Sequence, residues 1–428
     1  MESNKGLDIT KEDEKRITYL TKIIINRGLV NPSCKWWNLT DKLEDKSGIV
    51  LFNKLLKEHN KPFIKVSMLD HGGYLVTDVK YIEEILNNSP HIFKVGKLKY
   101  KFFKHFMKYN VGVSTGCPWL RQRQLNVDTL FTDKIHKDSF IYDRYVQNII
   151  NDNKLPTKFT DFVSLAKKIS TKIVFNQDKP ANEIFLMLKH SNTTDVYDKK
   201  KFQVPKNVRT SYNEYMKNSV KNACEGSLVY IAKQLYKEYG LSETELIHQI
   251  PHWVFPIAAI IHTTIPRLLL LLYNYPSKLK KVRVELKKKK FTYMRKCLLE
   301  VFRINNNVVS LFRTLGKKYT FDNKYTFKKG TQFLILTNPI LRNKEHFKDP
   351  DKFVPERWTR KNEYDNYATI SFSRGPQKCP GKDITLFILQ SFMFHLYERT
   401  GLKYTTGEIN KNNVSHAINP CKIKIKYT

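Results

Sequence analysis

The sequence predicts a mainly α-helical protein with small β-sheets, an α+β fold whose helices occupy the middle of the chain. Segments with helical hydrophobic periodicity follow one another over residues 141–239 and again over 242–303. Short alternating segments with turn residues between them lie on either side, at 63–76 and from 308 onward. Hydrophobic residues make up 41% of the 428, which is enough for a sizeable core and argues against global disorder.

The predicted elements follow in order along the chain. In the N-terminal third they are a hairpin over 63–76, a helix capped by Asp78 that ends near residue 88, a mobile segment or short helix over 97–109, and an amphipathic helix over 119–136. Later come a polar loop at 192–202, a helix that begins with the capping box Ser242–Glu245, a long apolar helix over 253–273, a helical stretch over 278–303, strands at 308–313, 319–321 and 332–337, and a last helix over 382–400.

The stretch 253–273 is the most apolar in the chain, and we interpret it as a long buried helix, with a transmembrane span as the minor alternative. Pro266 should kink this helix, and Pro276 follows its end. Residues 1–45 form a charged N-terminal segment without an apolar signal core or membrane anchor, and 46–428 form one domain. A cytoplasmic or soluble protein is expected, with peripheral membrane association as an alternative.

The net charge is +35, and such a surface attracts nucleic acid, an anionic membrane surface or an acidic protein. The alternative is a lysine-rich but merely solvated surface, and charge alone does not choose between them. The six cysteines lie far apart and form no C-x-x-C pair, which excludes a zinc ribbon or a thioredoxin-like motif. We expect most of them to be buried thiols, since nothing indicates an oxidising compartment.

The strongest chemical signal is the segment 372–381, in which Cys379 ends a glycine-containing loop just before the last long helix. The positive end of that helix and free backbone N–H groups favour a thiolate. Gly375 permits a turn that a side chain would block, and Gly381 allows close backbone approach at the start of the helix. The alternative is that Cys379 is an ordinary buried thiol beside a helix cap, without a chemical role.

Phe372, Gly375, Cys379 and Gly381 together form the pattern F-x-x-G-x-x-x-C-x-G. This pattern resembles the haem-binding loop of the cytochrome P450 family. The resemblance implies haem b (heme b, iron protoporphyrin IX) buried between a long distal helix and this proximal loop, with Cys379 as the iron ligand. A thiolate ligand donates electron density to the iron, and hydrogen bonds to the sulfur tune that donation.

Other motifs of the cytochrome P450 family occur in this sequence in the same order as in the family. Glu300 and Arg303 resemble its E-x-x-R motif, whose i, i+3 spacing places both side chains on one helix face. Residues 353–358 resemble its P-E-R-F segment, and the resemblance implies that Arg357 joins Glu300 and Arg303 in a buried structural triad. In isolation, an E-x-x-R pair is more often an ordinary exposed pair.

Trp119 and Arg123 resemble the W-x-x-x-R element, and Arg313 has the usual position of a second arginine that binds haem propionates. Cationic donors opposite carboxylates are physically sensible in this role. By register Arg123 is preferred to its neighbour Arg121. The sequence departs from the family pattern at Gln377, where an arginine or histidine is frequent, so that one propionate contact is neutral or comes from elsewhere.

The larger departure is in the distal helix, where the family usually has A-G-x-[DE]-T-T. A local match places residues 259–264 on this motif and replaces its acid by His262, before Thr263. An ungapped match instead places Ala259 and Ile260 at the acid and alcohol positions and leaves no proton relay. His262 could be a proton donor with Thr263, a distal iron ligand, or a buried histidine facing away from the haem.

The resemblance implies a haem-thiolate monooxygenase that inserts one oxygen atom from O2 into a lipophilic organic substrate. Its electrons would come from an external reductase, ferredoxin or flavodoxin. The main alternative is a peroxygenase or hydroperoxide isomerase of the same fold, because the acid–alcohol motif of the distal helix is degenerate. Residues 255–260 and 379–385 are also similar to the fatty-acid peroxygenase branch. Phe255 stands there in place of that branch's carboxylate-binding arginine. A haem sensor without turnover remains open, and a nucleic-acid-binding protein is the remote alternative, without a recognisable motif.

Overall fold

The computed structural model describes residues 7–27, 34, 46–67, 73–191, 204–416 and 418–428, and helices predominate among them. The helices are α1 Lys11–Arg27, α2 Lys46–His59, α3 Val79–Asn87, α4 Lys97–Phe103, α5 Gly116–Leu130, α6 Ser139–Asn151, α7 Phe159–Phe175, α8 Asn182–Ser191, α9 Lys206–Lys221, α10 Leu228–Leu235, α11 Glu243–Gln249, α12 Pro251–Asn274, α13 Pro276–Lys287, α14 Thr292–Ile304, α15 Thr337–Leu341, α16 Arg360–Tyr364 and α17 Lys382–Thr400. The predicted mainly helical α+β class is confirmed.

The strands form one five-stranded sheet and two small two-stranded sheets. They are β1 Phe63–Val66, β2 Gly73–Val76, β3 Phe93–Val95, β4 Ser310–Leu315, β5 Tyr319–Phe321, β6 Tyr325–Phe327, β7 Gln332–Leu336, β8 Tyr404–Thr405 and β9 Lys426–Tyr427. The large sheet has the order β1-β2-β7-β4-β3, with β2 and β7 parallel and the other pairs antiparallel. Strands predicted at opposite ends of the chain therefore share a sheet, because alternation identifies strands but not their partners.

Local signals place several boundaries correctly. The Asp78 side chain accepts a hydrogen bond from the Lys80 N–H at the start of α3, and Ser242 and Glu245 form the predicted capping box. The helix predicted over 119–136 instead spans Gly116–Leu130, because Phe131 adopts a left-handed conformation. The stretch predicted over 278–303 is divided into α13 and α14. The polar loop at 192–202 lies outside the described residues.

Helix α12 lies at the centre of the main hydrophobic core. Of its 24 residues, 19 are buried. The stretch Glu243–Asn274, which includes α11, is long and apolar enough to cross a membrane, but 83% of its most apolar window is buried inside the protein. Pro266 lies within α12 and does not end it, although it leaves the His262 carbonyl without a helical N–H partner.

The first helix packs into a core of its own. Ile17 and Leu20 of α1 pack with Phe52 and Leu55 of α2 and with Ile64 of β1. Part of the predicted N-terminal segment 1–45 therefore shares a core with the residues that follow it. The boundary at residue 45 stays a prediction.

The cysteines differ from the expectation. Cys34 and Cys421 form a disulfide that links the N-terminal part of the chain to its end, and Cys117 and Cys224 are exposed. Only Cys297 is a fully buried free thiol among the described residues. The prediction that most cysteines are buried thiols is wrong, because spacing along the chain says nothing about proximity in space.

A buried histidine joins α6 to α17, the helix that follows the Cys379 loop. His395 is bonded to Asp143 at 3.1 Å and to Glu398 at 2.9 Å, and Ser391 donates to the same Asp143 oxygen at 2.6 Å. Burial by itself lowers the pKa of His395, but the two carboxylates outweigh it and the net pKa is raised. The environment therefore favours the charged form of His395, and its contact with Asp143 joins the two helices.

Candidate functional site

The loop that ends at Cys379 is held in a tight turn against α3. The Cys379 N–H donates to the Phe372 carbonyl at 2.8 Å, which closes the loop. Gly375 is left-handed, with φ of +67°, and a Cβ atom there would lie 2.4 Å from the Leu86 carbonyl oxygen. Only glycine therefore fits at position 375 without a shift of the backbone.

Gly381 behaves differently, although it belongs to the same motif. A Cβ atom at this position would make only ordinary contacts, 3.7 Å from Leu130 and 3.8 Å from Ile384. The protein alone does not require glycine there. The close approach predicted at Gly381 would have to be made to a bound group.

The sulfur of Cys379 lies in a mixed electrostatic environment. Burial raises the pKa of the thiol, and the Asp383 carboxylate adds to the rise. The Gly381 N–H, Arg123 and Lys382 oppose it without reversing it. The start of α17 and the nearby cations are therefore not enough to deprotonate the Cys379 thiol. A metal cation bound to the sulfur would deprotonate it, because a thiol that coordinates a metal loses its proton. This environment fits a metal ligand better than a free nucleophile.

The structure brings Glu300, Arg303 and Arg357 together in a buried network. Arg303 donates to the two Glu300 oxygens at 2.9 and 3.0 Å, and Arg357 donates at 3.1 Å. The Trp358 indole N–H and the Val354 N–H reach the same carboxylate at 2.9 and 3.0 Å. Burial would raise the pKa of Glu300, but the two guanidinium groups hold it below its usual value.

The network connects directly to the Cys379 loop through α14. Phe302, beside Arg303, packs its ring against Phe372 with centroids 4.9 Å apart, and its carbonyl accepts a hydrogen bond from Ser371 at 3.3 Å. Arg303 also donates to the Leu341 carbonyl at 2.8 Å, on α15. The triad therefore fixes α14, and α14 supports the loop.

A second ionic network, which the sequence analysis did not identify, supports the start of α17. Glu363 of α16 accepts from Arg295 at 2.5 Å and from Lys382 at 2.8 Å, and Arg295 also binds Asp383 at 2.8 Å. Lys382 and Asp383 directly follow the loop motif and were therefore candidates by position. Their partners Glu363 and Arg295 lie 19 and 88 residues away in the sequence, where no local signal points to them.

The two arginines that the sequence analysis assigned to the propionates form no ion pair with a described residue. Arg123 donates to the Lys378 carbonyl at 2.7 Å, and Arg313 donates at 2.9 Å to the Ser89 hydroxyl and to the Phe312 carbonyl. No carboxylate lies within ion-pair distance of either guanidinium in the described part of the chain. Burial lowers the pKa of Arg313 to about 10, which shows how poorly this cation is compensated.

Trp119 and Lys99 add to this set. The Trp119 ring is buried and meets His91 edge-on at 6.1 Å, and its indole N–H has no hydrogen-bond partner among the described residues. Lys99 of α4 lies within electrostatic range of both Arg313 and Cys379. A ligand with two carboxylates, such as haem with its propionates, would supply the missing anions. The donor set therefore fits haem, and Lys99 is a member that the sequence analysis missed.

One face of α12 points towards this interior. His252, Pro256 and Ile260 recur at four-residue intervals on that face and are partly exposed, as are Phe255 and Tyr273, whereas the other residues of the helix are buried. Burial and the nearby Lys99 lower the pKa of His252 to about 3, which places this end of the helix beside Lys99. Of the two registers considered for the distal motif, this orientation favours the one with Ala259 and Ile260 at the acid and alcohol positions.

His262 lies on the other side of α12. It follows Ile260 by two residues, a rotation of about 200°, and its ring packs edge-on against Phe159 of α7 at 5.3 Å. Burial lowers its pKa to about 3, so the ring is neutral. This position agrees with the third interpretation of His262, a buried histidine that faces away from the site. It does not support a role as proton donor or iron ligand. The Thr263 hydroxyl donates to the Ala259 carbonyl at 2.7 Å, within its own helix.

The cytochrome P450 family model matches residues 148–426 of the chain. Among curated relatives, the probable cytochrome P450 CYP44 of Caenorhabditis elegans is 33% identical over 129 residues, which is 28% of this chain and 26% of that protein. The mitochondrial 1,25-dihydroxyvitamin D(3) 24-hydroxylase of Mus musculus is 31% identical over 117 residues, 27% of this chain and 23% of that protein. These matches thus span about a quarter of each relative.

The likeness of fold covers much more of the chain. The structure of retinoic acid bound cyanobacterial CYP120A1 superposes with a TM-score of 0.72 at 16% identity, over 88% of this chain and 94% of that one. The mainly helical fold with small sheets is therefore that of this cytochrome P450. The chain belongs to the cytochrome P450 family.

Proposed function

We propose that the protein is a haem-thiolate monooxygenase that inserts one oxygen atom from O2 into a lipophilic organic substrate. The observation that carries the proposal is the Cys379 loop with its closing hydrogen bond, in a chain of a family for which monooxygenase activity is typical. The overall reaction consumes O2, two electrons and two protons. It converts a C–H bond to C–OH and releases the second oxygen atom as water.

The cofactor in this proposal is haem b. Cys379 would ligate its iron, and Arg123, Arg313 and Trp119 would bind its propionates. When bound, a thiolate-ligated haem supplies the activation of dioxygen. The chain's own contribution is to hold the sulfur through the 372–381 loop and to exclude water with the apolar residues of α12. Pro256 and Ile260 on the interior face would contact a lipophilic substrate.

The electrons would come from an acidic ferredoxin, flavodoxin or flavin domain of a reductase. The α5–α6 connection lies against the Cys379 loop, because the Thr132 hydroxyl donates to the Pro380 carbonyl at 2.9 Å. On this connection Lys134 and Lys137 are exposed, and Ile135 between them is 83% exposed. Cations around an apolar centre suit a partner of opposite charge.

The partner proposal is tested by charge reversal. Lys134→Glu and Lys137→Glu should raise the KM for a surrogate acidic ferredoxin, more at low salt than at high salt, because screening removes the attraction. Lys328→Glu, an exposed site on the hairpin β5–β6, is the matched control. Equal KM values for all variants would contradict this docking surface.

The haem-thiolate assignment is tested by the absorption spectrum of the reduced, CO-treated protein. A strongly red-shifted Soret band is expected for the wild type and for Cys224→Ala, which removes an exposed cysteine. The band should be lost in Cys379→Ala, because no thiolate would remain at the iron. A band unchanged in Cys379→Ala, or a purified protein without haem, would refute the assignment.

The second candidate is a peroxide-using enzyme of the same fold. It is favoured by α12, which carries no Asp or Glu and presents Ile260 to the interior. Without an acid–alcohol pair, protons for O2 activation have no relay on this helix. Turnover with reductase, NADPH and 18O2 that yields labelled product supports the monooxygenase. A product that contains 18O only when the label is supplied in H2O2 supports the peroxygenase.

A further inference from the structure

Lys99 has an unusual position for a lysine. It lies on α4, and a Cβ atom added at Gly112 would be 3.3 Å from its amine and 3.0 Å from the ring of His252. The amine is therefore beside the first turn of α12, on the face that points to the interior. The ring of Phe103, one turn along α4, lies 5.9 Å from the amine.

Nothing on the described part of the chain neutralises this amine. Lys99 forms no hydrogen bond or ion pair with a described residue. Of its two titratable neighbours, Arg313 repels it, and Cys379 carries a charge only as a thiolate. Burial and Arg313 lower its pKa to about 8. Two enclosed cations without an anion destabilise the protein, since buried charges are normally paired. Such an arrangement is expected where a ligand brings the anion.

We propose that Lys99 acts with Arg313 to bind a carboxylate inside the site that contains Cys379. The proposal deepens the function proposed above and rests on it. Two sources have this chemistry, a propionate of the haem and the acid group of a lipophilic substrate. Gln377 contributes no charge beside Cys379, so an added cation from α4 is consistent with a propionate. The neighbouring apolar face of α12 is consistent with an acidic substrate.

The variants are Lys99→Met, which keeps the length of the side chain without its charge, and Lys99→Arg, which keeps the charge. Lys97→Met is the matched control, because Lys97 is exposed on the same short helix. Haem release to excess apomyoglobin is measured for each holoprotein. The measurement is repeated after reconstitution with haemin dimethyl ester, in which both propionates are uncharged.

If the carboxylate is a propionate, Lys99→Met releases haemin about tenfold faster or more, the equivalent of a charge-assisted hydrogen bond. With the dimethyl ester the same variant should match the wild type within about twofold, because the charge that Lys99 binds is gone in both proteins. Lys99→Arg and Lys97→Met should release haemin at the wild-type rate.

If the carboxylate belongs to a substrate, haemin release is unchanged. Lys99→Met then weakens binding of lauric acid, followed by the spin-state shift of the Soret band, about tenfold, and leaves methyl laurate unaffected. Should Lys99→Met fail to hold haem, the milder Lys99→Gln gives the same comparison. Unchanged haemin release together with unchanged lauric acid binding overturns the proposal. Failure of the haem-thiolate assignment itself would appear separately, as a missing red-shifted Soret band in the wild type.

Discussion

The Glu300 carboxylate gives the sharpest test of how the Cys379 loop is supported. Replacing it by glutamine keeps the size of the side chain but removes the charge between Arg303 and Arg357. Five hydrogen bonds converge on this carboxylate, three from the two guanidinium groups, one from the Trp358 indole and one from the Val354 N–H. A glutamine amide has one acceptor oxygen, and its NH2 group would face the arginines.

The expected loss of stability follows from this geometry. Glu300 and Arg303 have no exposed surface, so solvent cannot compensate for the lost charge. Neutralising one partner of a buried ion pair costs about 3–5 kcal/mol. The whole stability of a folded protein is about 5–15 kcal/mol. Glu300→Gln should therefore remove a large fraction of the stability and loosen α14, on which the loop rests.

The assay is urea denaturation followed by far-UV circular dichroism, with the CO spectrum recorded at low urea. Glu356→Gln is the matched control, because Glu356 is 40% exposed and pairs with Lys278 and Lys281 at the surface. Pairs of this kind contribute about 1 kcal/mol or less. The reasoning is refuted if Glu300→Gln loses less than about 1 kcal/mol, or no more than Glu356→Gln does.

Three further experiments test other parts of the structure. Gly375→Ala should distort the loop and reduce the red-shifted CO species, whereas Gly407→Ala, with no atom within 4 Å of an added Cβ, should not; equal spectra would contradict the steric argument. Since the folded-state pKa of His395 is raised, its stabilisation is fully present below its unfolded pKa of about 6.5 and is lost as pH rises through the folded value. The deficit of His395→Gln against the wild type, read from urea midpoints, should therefore shrink with rising pH, and a constant deficit would count against this linkage. Alkylation of the unfolded, unreduced protein should modify four of the six cysteines, because Cys34 and Cys421 are joined, and six labels would disprove the bridge.

Local physics explains what the sequence could predict. A capping box needs only Ser242 and Glu245, three residues apart, and the structure contains it. Glu300 and Arg303 meet because i, i+3 side chains share a helix face. The left-handed turn at Gly375 lies within one loop motif, although the clash that a side chain there would make is with the distant Leu86 carbonyl of α3. In the capping box and in the Glu300–Arg303 pair, the interacting groups are neighbours in the chain.

The features that escaped prediction all depend on distant partners. Lys99 is one of 75 basic residues, and only the fold shows that it lies beside Arg313. The pairing of Cys34 with Cys421 spans 387 residues. The rotation of α12 decides which of two registers faces the interior, and composition cannot fix a rotation. These outcomes follow from packing, which is a property of the whole core and not of a segment.

The charges at the site are distributed unequally, and this bears on its chemistry. Arg123, Arg313 and Lys99 form no ion pair with a carboxylate of the described residues, and α12, which lies beside Lys99, contains no Asp or Glu. An anionic cofactor would balance these cations, but it would not provide a carboxylic acid on α12. Protons for dioxygen would then have to arrive through water or through a substrate group. A route of this kind favours a substrate that carries its own polar group. The source of the oxygen atom, O2 or peroxide, is then the property that distinguishes the proposed monooxygenase from the proposed peroxygenase.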